Sequence, residues 1–173
     1  MDFDTKRAEI SNLATWETDQ AHAVAMIEPY LLFGGSVLDY GCGVGRIMKP
    51  LATKHFRTQF WGYDIDTEAL DYARLDQRTN EHYSQHQPLD IENLRSVYSV
   101  ITFQHMPDEA VARLISWWYP IRFRFQFATG TIQMDYNYQR NPEQVEAWCT
   151  TAGYKVDMMD DPVNETWQWV TCS

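Results

Sequence analysis

The sequence is poor in cysteine, in basic residues and in long apolar runs. It has only 3 Cys among 173 residues, without C-x-x-C spacing, so we expect no disulfide framework and no bound metal. Lys and Arg number 14 against 24 Asp and Glu, a formal net charge of −10, which disfavours nucleic acid as a partner. No apolar run approaches the ~20 residues of a transmembrane helix, and the first residues are charged, unlike a signal peptide. These absences predict a cytoplasmic protein that does not bind membranes.

What the sequence does contain is an alternation of two patterns. Apolar clusters of strand length alternate with segments of helical period, and 45% of the residues are hydrophobic. This alternation is typical of an α/β fold in which helices cover a mostly parallel sheet. No linker or low-complexity tract interrupts it, so we expect an N-terminal arm or lid over residues 1–16 and a single domain over residues 17–173.

Local signals divide the domain into helices and strands. A leading helix is predicted from Glu17 to about Leu32, and the pair Asn141-Pro142 begins a helix that Gly153 ends. The short link through Asp161 makes the last two strands antiparallel neighbours. The predicted strands are 36–40, 59–63, one within 80–89, 97–103, 121–128, 154–159 and 166–172.

The last three predicted strands alternate between apolar and polar residues. Such alternation indicates a sheet with one solvated face. We therefore expect Arg122 or Arg124 on a solvent-exposed face near Asp157 or another carboxylate. An alternative is that the two arginines line a contact between subunits.

A glycine-rich turn follows the first strand. Gly41, Gly43 and Gly45 stand between that strand and a helix, at the sheet edge where α/β folds bind ligands. Glycines allow a ligand to approach the backbone closely, and the start of a helix offers free N–H groups. The spacing is neither G-x-G-x-x-G nor a Gly-Lys-Ser/Thr phosphate loop. By itself the turn indicates either a ligand-binding loop or a tight connection.

The segment Val37 to Arg46 resembles the first motif, D-x-G-x-G-x-G, of class I S-adenosylmethionine-dependent methyltransferases. Four later segments resemble successive motifs of the same family: 62–66, 90–94, 102–108 and 146–154. The resemblance therefore covers roughly residues 17–172. It implies a doubly wound, Rossmann-like sheet of seven strands, mostly parallel, with an antiparallel last strand and helices on both faces. It also implies S-adenosyl-L-methionine as the cofactor and methyl transfer to an O, N or C nucleophile of a small molecule.

The resemblance assigns roles to individual residues. In the family, the acid that closes the second strand binds both ribose hydroxyls, and Asp64 matches that position; the alternative role, capping a helix, suits Asp66 better. In the family, an acid before the fourth strand accepts a hydrogen bond from the adenine amino group, and Asp90 matches the position of that acid. The alternative is that Asp90 is a solvated loop acid. The cofactor-binding residues that it implies are Asp39, Gly41, Cys42, Gly43, Asp64, Ile65, Asp90, Ile91 and Phe103.

The acceptor side is less defined. His105 is the candidate general base because an imidazole ordinarily changes protonation near neutral pH; positioning and core packing are the alternatives. The segment 129–140 is the candidate substrate loop, although its tyrosines could instead pack on the rim of the fold. The predicted substrate-binding residues are Gln104, Tyr136, Tyr138 and Arg140.

Three other functions compete with small-molecule methylation. The chain could be a cofactor-binding regulatory or partner subunit without chemistry, or a methyltransferase that acts on proteins or peptides. A nicotinamide oxidoreductase is disfavoured by the glycine spacing. The quaternary structure is predicted as a monomer or a homodimer.

Overall fold

The computed structural model describes residues 13–75, 77–86, 90–119, 121–128, 140–163 and 167–173. Its helices are α1 (Leu13–Ile27), α2 (Met48–Lys54), α3 (Thr67–Arg74), α4 (Asp108–Trp118) and α5 (Pro142–Thr151). Its strands are β1 (Ser36–Tyr40), β2 (Gln59–Tyr63), β3 (Glu81–Ser84), β4 (Leu94–Ser99), β5 (Arg122–Ala128), β6 (Val156–Asp160) and β7 (Trp167–Cys172). Short 3₁₀ turns cover Glu28–Tyr30 and Phe103–His105.

The seven strands form one sheet in the order β3-β2-β1-β4-β5-β7-β6. Strand β7 runs antiparallel to both β5 and β6, and the pairs from β3 to β5 are parallel. The predicted fold class, including the antiparallel last strand, is confirmed. Strands β2 and β3 are added on one side of β1, and the chain then crosses over to place β4 on the other side of β1. The carboxyl ends of β1 and β4 therefore flank the crevice where open α/β sheets bind ligands.

Local chemistry explains most of the element boundaries. Asn141 caps α5 by accepting from the Glu143 N–H at 2.9 Å, and Gly153 follows that helix with φ of 101°. The predicted end of the fourth strand is wrong, because β4 stops at Ser99. Ile101 has a φ of 59°, a left-handed conformation that a β-branched residue adopts at a cost and that ends the strand.

The N-terminal boundary also differs from the prediction. Helix α1 begins at Leu13, four residues before the predicted start at Glu17. Residues 1–12 lie outside the described part of the chain, so the role of the N-terminal arm as a lid stays a prediction. Among the described residues, no helix combines the length and apolarity that crossing a membrane requires.

Two clusters of buried apolar side chains cover the two faces of the sheet. Phe123, Phe125 and Phe127 point to the face covered by α4 and α5. On the opposite face, the cluster under α1 contains Ile27 and Trp169. The first helix therefore extends over the strands that were expected to be solvated.

The predicted solvent-exposed face is wrong for the central part of β5. Arg124 is 2% exposed, its guanidinium carbon lies 3.7 Å from the ring centre of Tyr30, and it donates to the hydroxyl of Thr171. Burial lowers the pKa of Arg124 to about 10. The ring of Tyr30 packs on the guanidinium because a cation is attracted to the face of a π system, and the negative charge of Asp157, the carboxylate expected nearby, also raises the pKa of Arg124. Arg122 is half-buried, and Asp157 on β6 is exposed.

Candidate active site

A cleft of about 680 Å³ lies at the carboxyl ends of β1, β2 and β4. Three turns form it: the glycine-rich turn after β1, the turn after β2 and the 3₁₀ turn after β4. Six of the residues predicted from the sequence line this cleft: Gly41, Cys42, Gly43, Asp64, Ile65 and His105. The sheet topology thus brings together segments that are more than sixty positions apart in the sequence.

The glycine-rich turn is fastened to the end of β2. The N–H groups of Gly41 and Cys42 both donate to the carbonyl oxygen of Tyr63, at 2.7 and 2.9 Å. Gly41 has φ of 83°, and a Cβ at this position would overlap the side chain of Thr102. A Cβ on Gly43, which has φ of 51°, would meet nothing within 4 Å. Gly41 is therefore required by packing, whereas Gly43 leaves open space at the cleft.

Asp64 links the second strand to the glycine-rich turn. Its Oδ2 accepts from the Gly43 N–H at 2.7 Å, and its Oδ1 accepts from the Asp66 N–H at 2.9 Å. The capping role belongs to the neighbour, since Asp66 accepts from the first N–H groups of α3. Each Asp64 oxygen retains acceptor capacity beyond these bonds. The half-buried carboxylate therefore lies at the cleft with lone pairs available for a ligand.

Asp39 lies behind the turn and not on the surface of the cleft. It is 3% exposed, and the Tyr98 hydroxyl donates to its Oδ2 at 3.0 Å. Burial raises the pKa of Asp39 to about 8; the hydrogen bond from Tyr98 acts in the opposite direction, and the negative charge of Asp64 raises it further. At neutral pH this carboxyl is therefore mostly protonated.

Cys42 contributes a small side chain to the wall of the cleft. It is 6% exposed, and burial, reinforced by the charges of Asp39 and Asp64, raises the pKa of its thiol well above the ordinary value. A thiol held in this form is a poor nucleophile. Its sulfur packs against Gly62 on β2, where an added Cβ would lie 2.8 Å from that sulfur.

His105 is exposed and faces the cleft from the 3₁₀ turn after β4. Its Nε2 lies 3.3 Å from Nε2 of Gln104; the amide nitrogen is a donor only, so a hydrogen bond forms here in the imidazole tautomer whose Nε2 carries the lone pair. Gln104 itself is 6% exposed and does not line the cleft. The structure therefore supports contact between Gln104 and His105, and leaves substrate contact by Gln104 without support.

Besides Asp39, three residues predicted to bind the cofactor are not in the wall of this cleft. The Phe103 side chain is 1% exposed and packs against Phe123 and Phe125, with ring centres 5.6 and 5.0 Å apart. Asp90 is exposed, and Ile91 packs at the edge of the main core. The sequence placed Phe103 near the cleft because it follows β4, but its side chain turns inward.

Arg140 also differs from its predicted place in a substrate pocket. It is 3% exposed, and it donates to the carbonyl oxygens of Phe103 and Met106, at 2.7 and 2.5 Å, and to Asp108 at 3.1 Å. These bonds hold the turn that carries His105. Arg140 therefore braces the site from behind, and Tyr136 and Tyr138 lie outside the described residues.

Sequence reasoning gave no site role to three charged residues that line the cleft: Asp19 on α1, Arg46 after the glycine-rich turn and Asp66, which it assigned only to the cap of a helix. Burial lowers the pKa of Arg46, and the nearby charges of Asp19 and Asp39 raise it. The position of Arg46 directly after the glycine motif was the available signal. Asp19 belongs to no motif, and only the path of α1 over the sheet places it at the cleft.

Comparisons with known proteins agree with this fold. Residues 37–121 match the profile of a family described as a methyltransferase domain. A S-adenosylmethionine-dependent methyltransferase from Archaeoglobus fulgidus superposes with a TM-score of 0.75 at 14% identity, covering 99% of each chain. One from Mesorhizobium loti gives 0.70 at 16% identity, covering 89% of this chain and 98% of the other.

A longer structure matches as well. Phosphoethanolamine N-methyltransferase 2 of Haemonchus contortus, in complex with S-adenosylmethionine, gives a TM-score of 0.71 at 16% identity over 88% of this chain and 52% of its own. Across several matching structures, this chain spans 52–66% of their length. No curated protein matches the chain in sequence.

Proposed function

Residues 37–121 belong to the methyltransferase-domain family and the chain has the fold of class I S-adenosylmethionine-dependent methyltransferases; on this premise we propose that it transfers a methyl group from S-adenosylmethionine to an O, N or C nucleophile of a small molecule. The observation that carries the proposal is the carboxylate of Asp64, bonded to the Gly43 N–H beside an open glycine turn. We further propose that it acts in the cytoplasm, as a monomer or a homodimer.

Asp64 is the residue that would hold the ribose of the methyl donor. A carboxylate accepts two O–H bonds at once, and charge-assisted bonds are about twice as strong as neutral ones. The adjacent Gly43 has no side chain to obstruct the nucleoside, and Ile65, which is 81% exposed, offers an apolar surface beside it. Asp90 and Ile91 would contact the adenine if the resemblance holds at those positions, and their roles stay predictions.

The amino-acid end of the donor requires one cation and one anion. Arg46 and Asp19 line the same cleft and provide this pair, so we assign them to the carboxylate and the ammonium group of the donor. Asp39 lies behind the turn with a raised pKa, and a sulfonium nearby would favour its ionised form. The site thus provides negative charge when the cationic donor is present.

The donor already carries an activated methyl group, so the chain has to bring a nucleophile to ~3–3.5 Å from the methyl carbon, in line with the S–C bond. His105 borders the cleft and is the base predicted from the sequence. Among the described residues no carboxylate bonds to its ring, so its role as base stays a prediction. We propose that residues 1–16 cover the cleft as an N-terminal arm; residues 13–16 of this arm form the start of α1, the helix that carries Asp19 to the cleft.

Titration calorimetry with S-adenosylmethionine, S-adenosylhomocysteine and NAD tests the cofactor. We expect both sulfur compounds to bind and NAD not to bind. The variant Asp64→Asn should weaken binding by about 1–3 kcal/mol, because a charged acceptor is lost. Asp71→Asn is the matched control, since Asp71 is an exposed carboxylate on α3 that does not line the cleft.

Two outcomes would contradict the assignment. Equal affinities of wild type and Asp64→Asn, with unchanged thermal stability, would remove Asp64 from the ribose site. Preference for NAD would reject the cofactor. Tight binding of S-adenosylhomocysteine together with no methyl transfer to any acceptor tested would instead favour a regulatory subunit.

A further inference from the structure

A second cavity, of about 260 Å³, adjoins the proposed donor cleft. Four residues belong to the walls of both: Asp19, Arg46, Val100 and Ile101. The second cavity continues from this shared wall over the ends of β5 and β7, between α1 and the β6–β7 turn. A molecule in the second cavity would therefore lie against the same four residues as a molecule in the first.

The second cavity contains a histidine and a buried aspartate in contact. Nε2 of His22, on α1, lies 3.0 and 3.1 Å from the two carboxylate oxygens of Asp161 in the β6–β7 turn. The side chain of His22 is 23% exposed and that of Asp161 is 2% exposed. Both residues line the cavity; the histidine is partly exposed there, and its carboxylate partner is almost fully buried.

Three further donors hold Asp161 in place. Trp169 Nε1 donates to its Oδ2 at 2.7 Å, Gln126 Nε2 donates to the same oxygen at 3.0 Å, and the Val163 N–H donates to its Oδ1 at 2.9 Å. Burial by itself raises the pKa of Asp161, but the bonds from Val163, His22 and Trp169 outweigh it and hold that pKa below its ordinary value. Asp161 is therefore a fixed anion.

A fixed carboxylate determines the tautomer of a neutral histidine. The proton of His22 is placed on Nε2, where it donates to Asp161, so the lone pair is on Nδ1. None of the described hydrogen bonds involves that Nδ1. A nucleophile or base oriented by a third group is the usual arrangement in proton-transfer sites.

We propose that this second cavity is the acceptor site of the methyltransferase, and that His22, oriented by Asp161, is the general base that removes the acceptor's proton. This inference rests on the proposed function, because it takes the first cleft as the methyl-donor site. His22 has the carboxylate partner that His105 lacks among the described residues. The assignment of base therefore moves from the sequence-predicted His105 to His22.

The chemistry of the cavity indicates a small phenolic acceptor. Trp167, Val100 and Val163 provide apolar surface, and Gln126 provides a polar group. Ligand pockets are mostly apolar with a few placed polar groups, and a volume of about 260 Å³ suits a single small ring. A phenol has a pKa of about 10, so an imidazole can remove its proton during attack far more readily than that of an aliphatic alcohol.

The transfer step balances with these groups alone. The O–H proton of the phenol passes to Nδ1 of His22 as the oxygen lone pair forms a bond to the methyl carbon. The S–C bond breaks and its electron pair stays on sulfur, which gives the aryl methyl ether and S-adenosylhomocysteine. Asp161 stabilises the resulting imidazolium, which afterwards loses its proton to water.

The first test measures binding without turnover. The protein saturated with S-adenosylhomocysteine is titrated with phenol and catechol, and the ¹³C-labelled imidazole signals are followed by NMR. We expect the His22 signals, assigned with His22→Gln, to shift. The signals of His55 should not, since His55 is bonded to Glu28 at 2.6 Å and does not line either cavity. Unchanged His22 signals at saturating phenol would overturn the acceptor site.

The second test measures release of S-adenosylhomocysteine with phenol and catechol as acceptors. His22→Gln should lower kcat about 100-fold or more with unchanged affinity for S-adenosylmethionine, because the substituted amide still bonds to Asp161 but cannot accept a proton. His55→Gln, which disrupts a similar pair elsewhere, should retain full activity, and His105→Gln should lower kcat less than 10-fold. Wild-type kcat should fall on acidification, whereas the variant's should not depend on pH over the same range.

The other charged or titratable groups that line the cavity with His22 are Asp19, Arg46 and Asp161. If S-adenosylmethionine does not bind, the proposed function itself fails. If it binds and neither phenol is methylated, or if His22→Gln retains kcat and its acid limb, the present inference alone is overturned. Equal melting temperatures of His22→Gln and His55→Gln exclude unfolding as the cause of lost activity.

Discussion

The buried carboxyl of Asp39 makes stability depend on pH in a direction opposite to that of a paired carboxylate. In the folded protein the pKa of Asp39 is about 8, against an ordinary value of 3.8. Between these values the folded chain retains a proton that the unfolded chain has released, so folding is favoured at low pH and loses stability as pH rises through the folded pKa. At about 1.4 kcal/mol per pH unit, the contribution falls by about 3–4 kcal/mol between pH 5 and pH 8.

Asp39→Asn tests this reasoning because the amide is neutral at every pH and can still accept from Tyr98. Urea unfolding at half-unit steps from pH 5 to pH 8.5 gives the free energy of unfolding of wild type and variant. We expect the difference between them to change by about 3–4 kcal/mol across this range in favour of the variant. Asp71→Asn, at an exposed site, should run parallel to wild type. Parallel curves for Asp39→Asn would refute the argument.

Three further predictions concern the same region. Gly41→Ala should lower the free energy of unfolding by about 2–5 kcal/mol, because the substitution combines a left-handed backbone with overlap on Thr102. Gly43→Ala should lower it by only about 1–2 kcal/mol, because only the left-handed backbone opposes the new side chain. Equal losses for the two variants in urea unfolding would contradict this. Arg140→Met should destabilise by about 3 kcal/mol or more, because two buried carbonyls lose their donor, and wild-type stability would show that those bonds are dispensable. Binding of S-adenosylmethionine at pH 7 should release protons from Asp39, measured as heats in buffers of different ionisation enthalpy, and Asp39→Asn should abolish that release.

The order and type of the elements could be predicted because hydrophobic period and capping residues are local. Asn141 and Gly153 mark α5 in sequence as they do in structure. The end of β4 could not be predicted, because the segment 97–103 is rich in β-branched and aromatic residues up to Phe103 and only the left-handed backbone of Ile101 interrupts it. The burial of Arg124 depends on the path of α1, which no local pattern specifies.

The residues of the candidate site also fall into two groups: those that a local sequence motif marks and those that only the fold brings together. Motif residues such as Gly41 and Asp64 are near the cleft because the topology places the ends of β1 and β2 together. Arg140 was expected to bind the substrate from the loop 129–140; its burial against the turn that carries His105 could not be predicted, since a charged residue after a long connection resembles a solvated one. His22 and Asp161 are separated by 139 positions, and neither belongs to a motif.

Helix α1 supplies a residue to each cavity from adjacent turns. Asp19 lines both the donor cleft and the neighbouring cavity, and His22, three residues later, faces the latter. An occupant of either site therefore restrains the same helix. The first occupant bears the conformational-entropy cost of ordering α1, so the second binds without that cost. Thermodynamic reciprocity then demands that each occupant raise the affinity of the protein for the other by the same factor, so donor and acceptor should bind cooperatively.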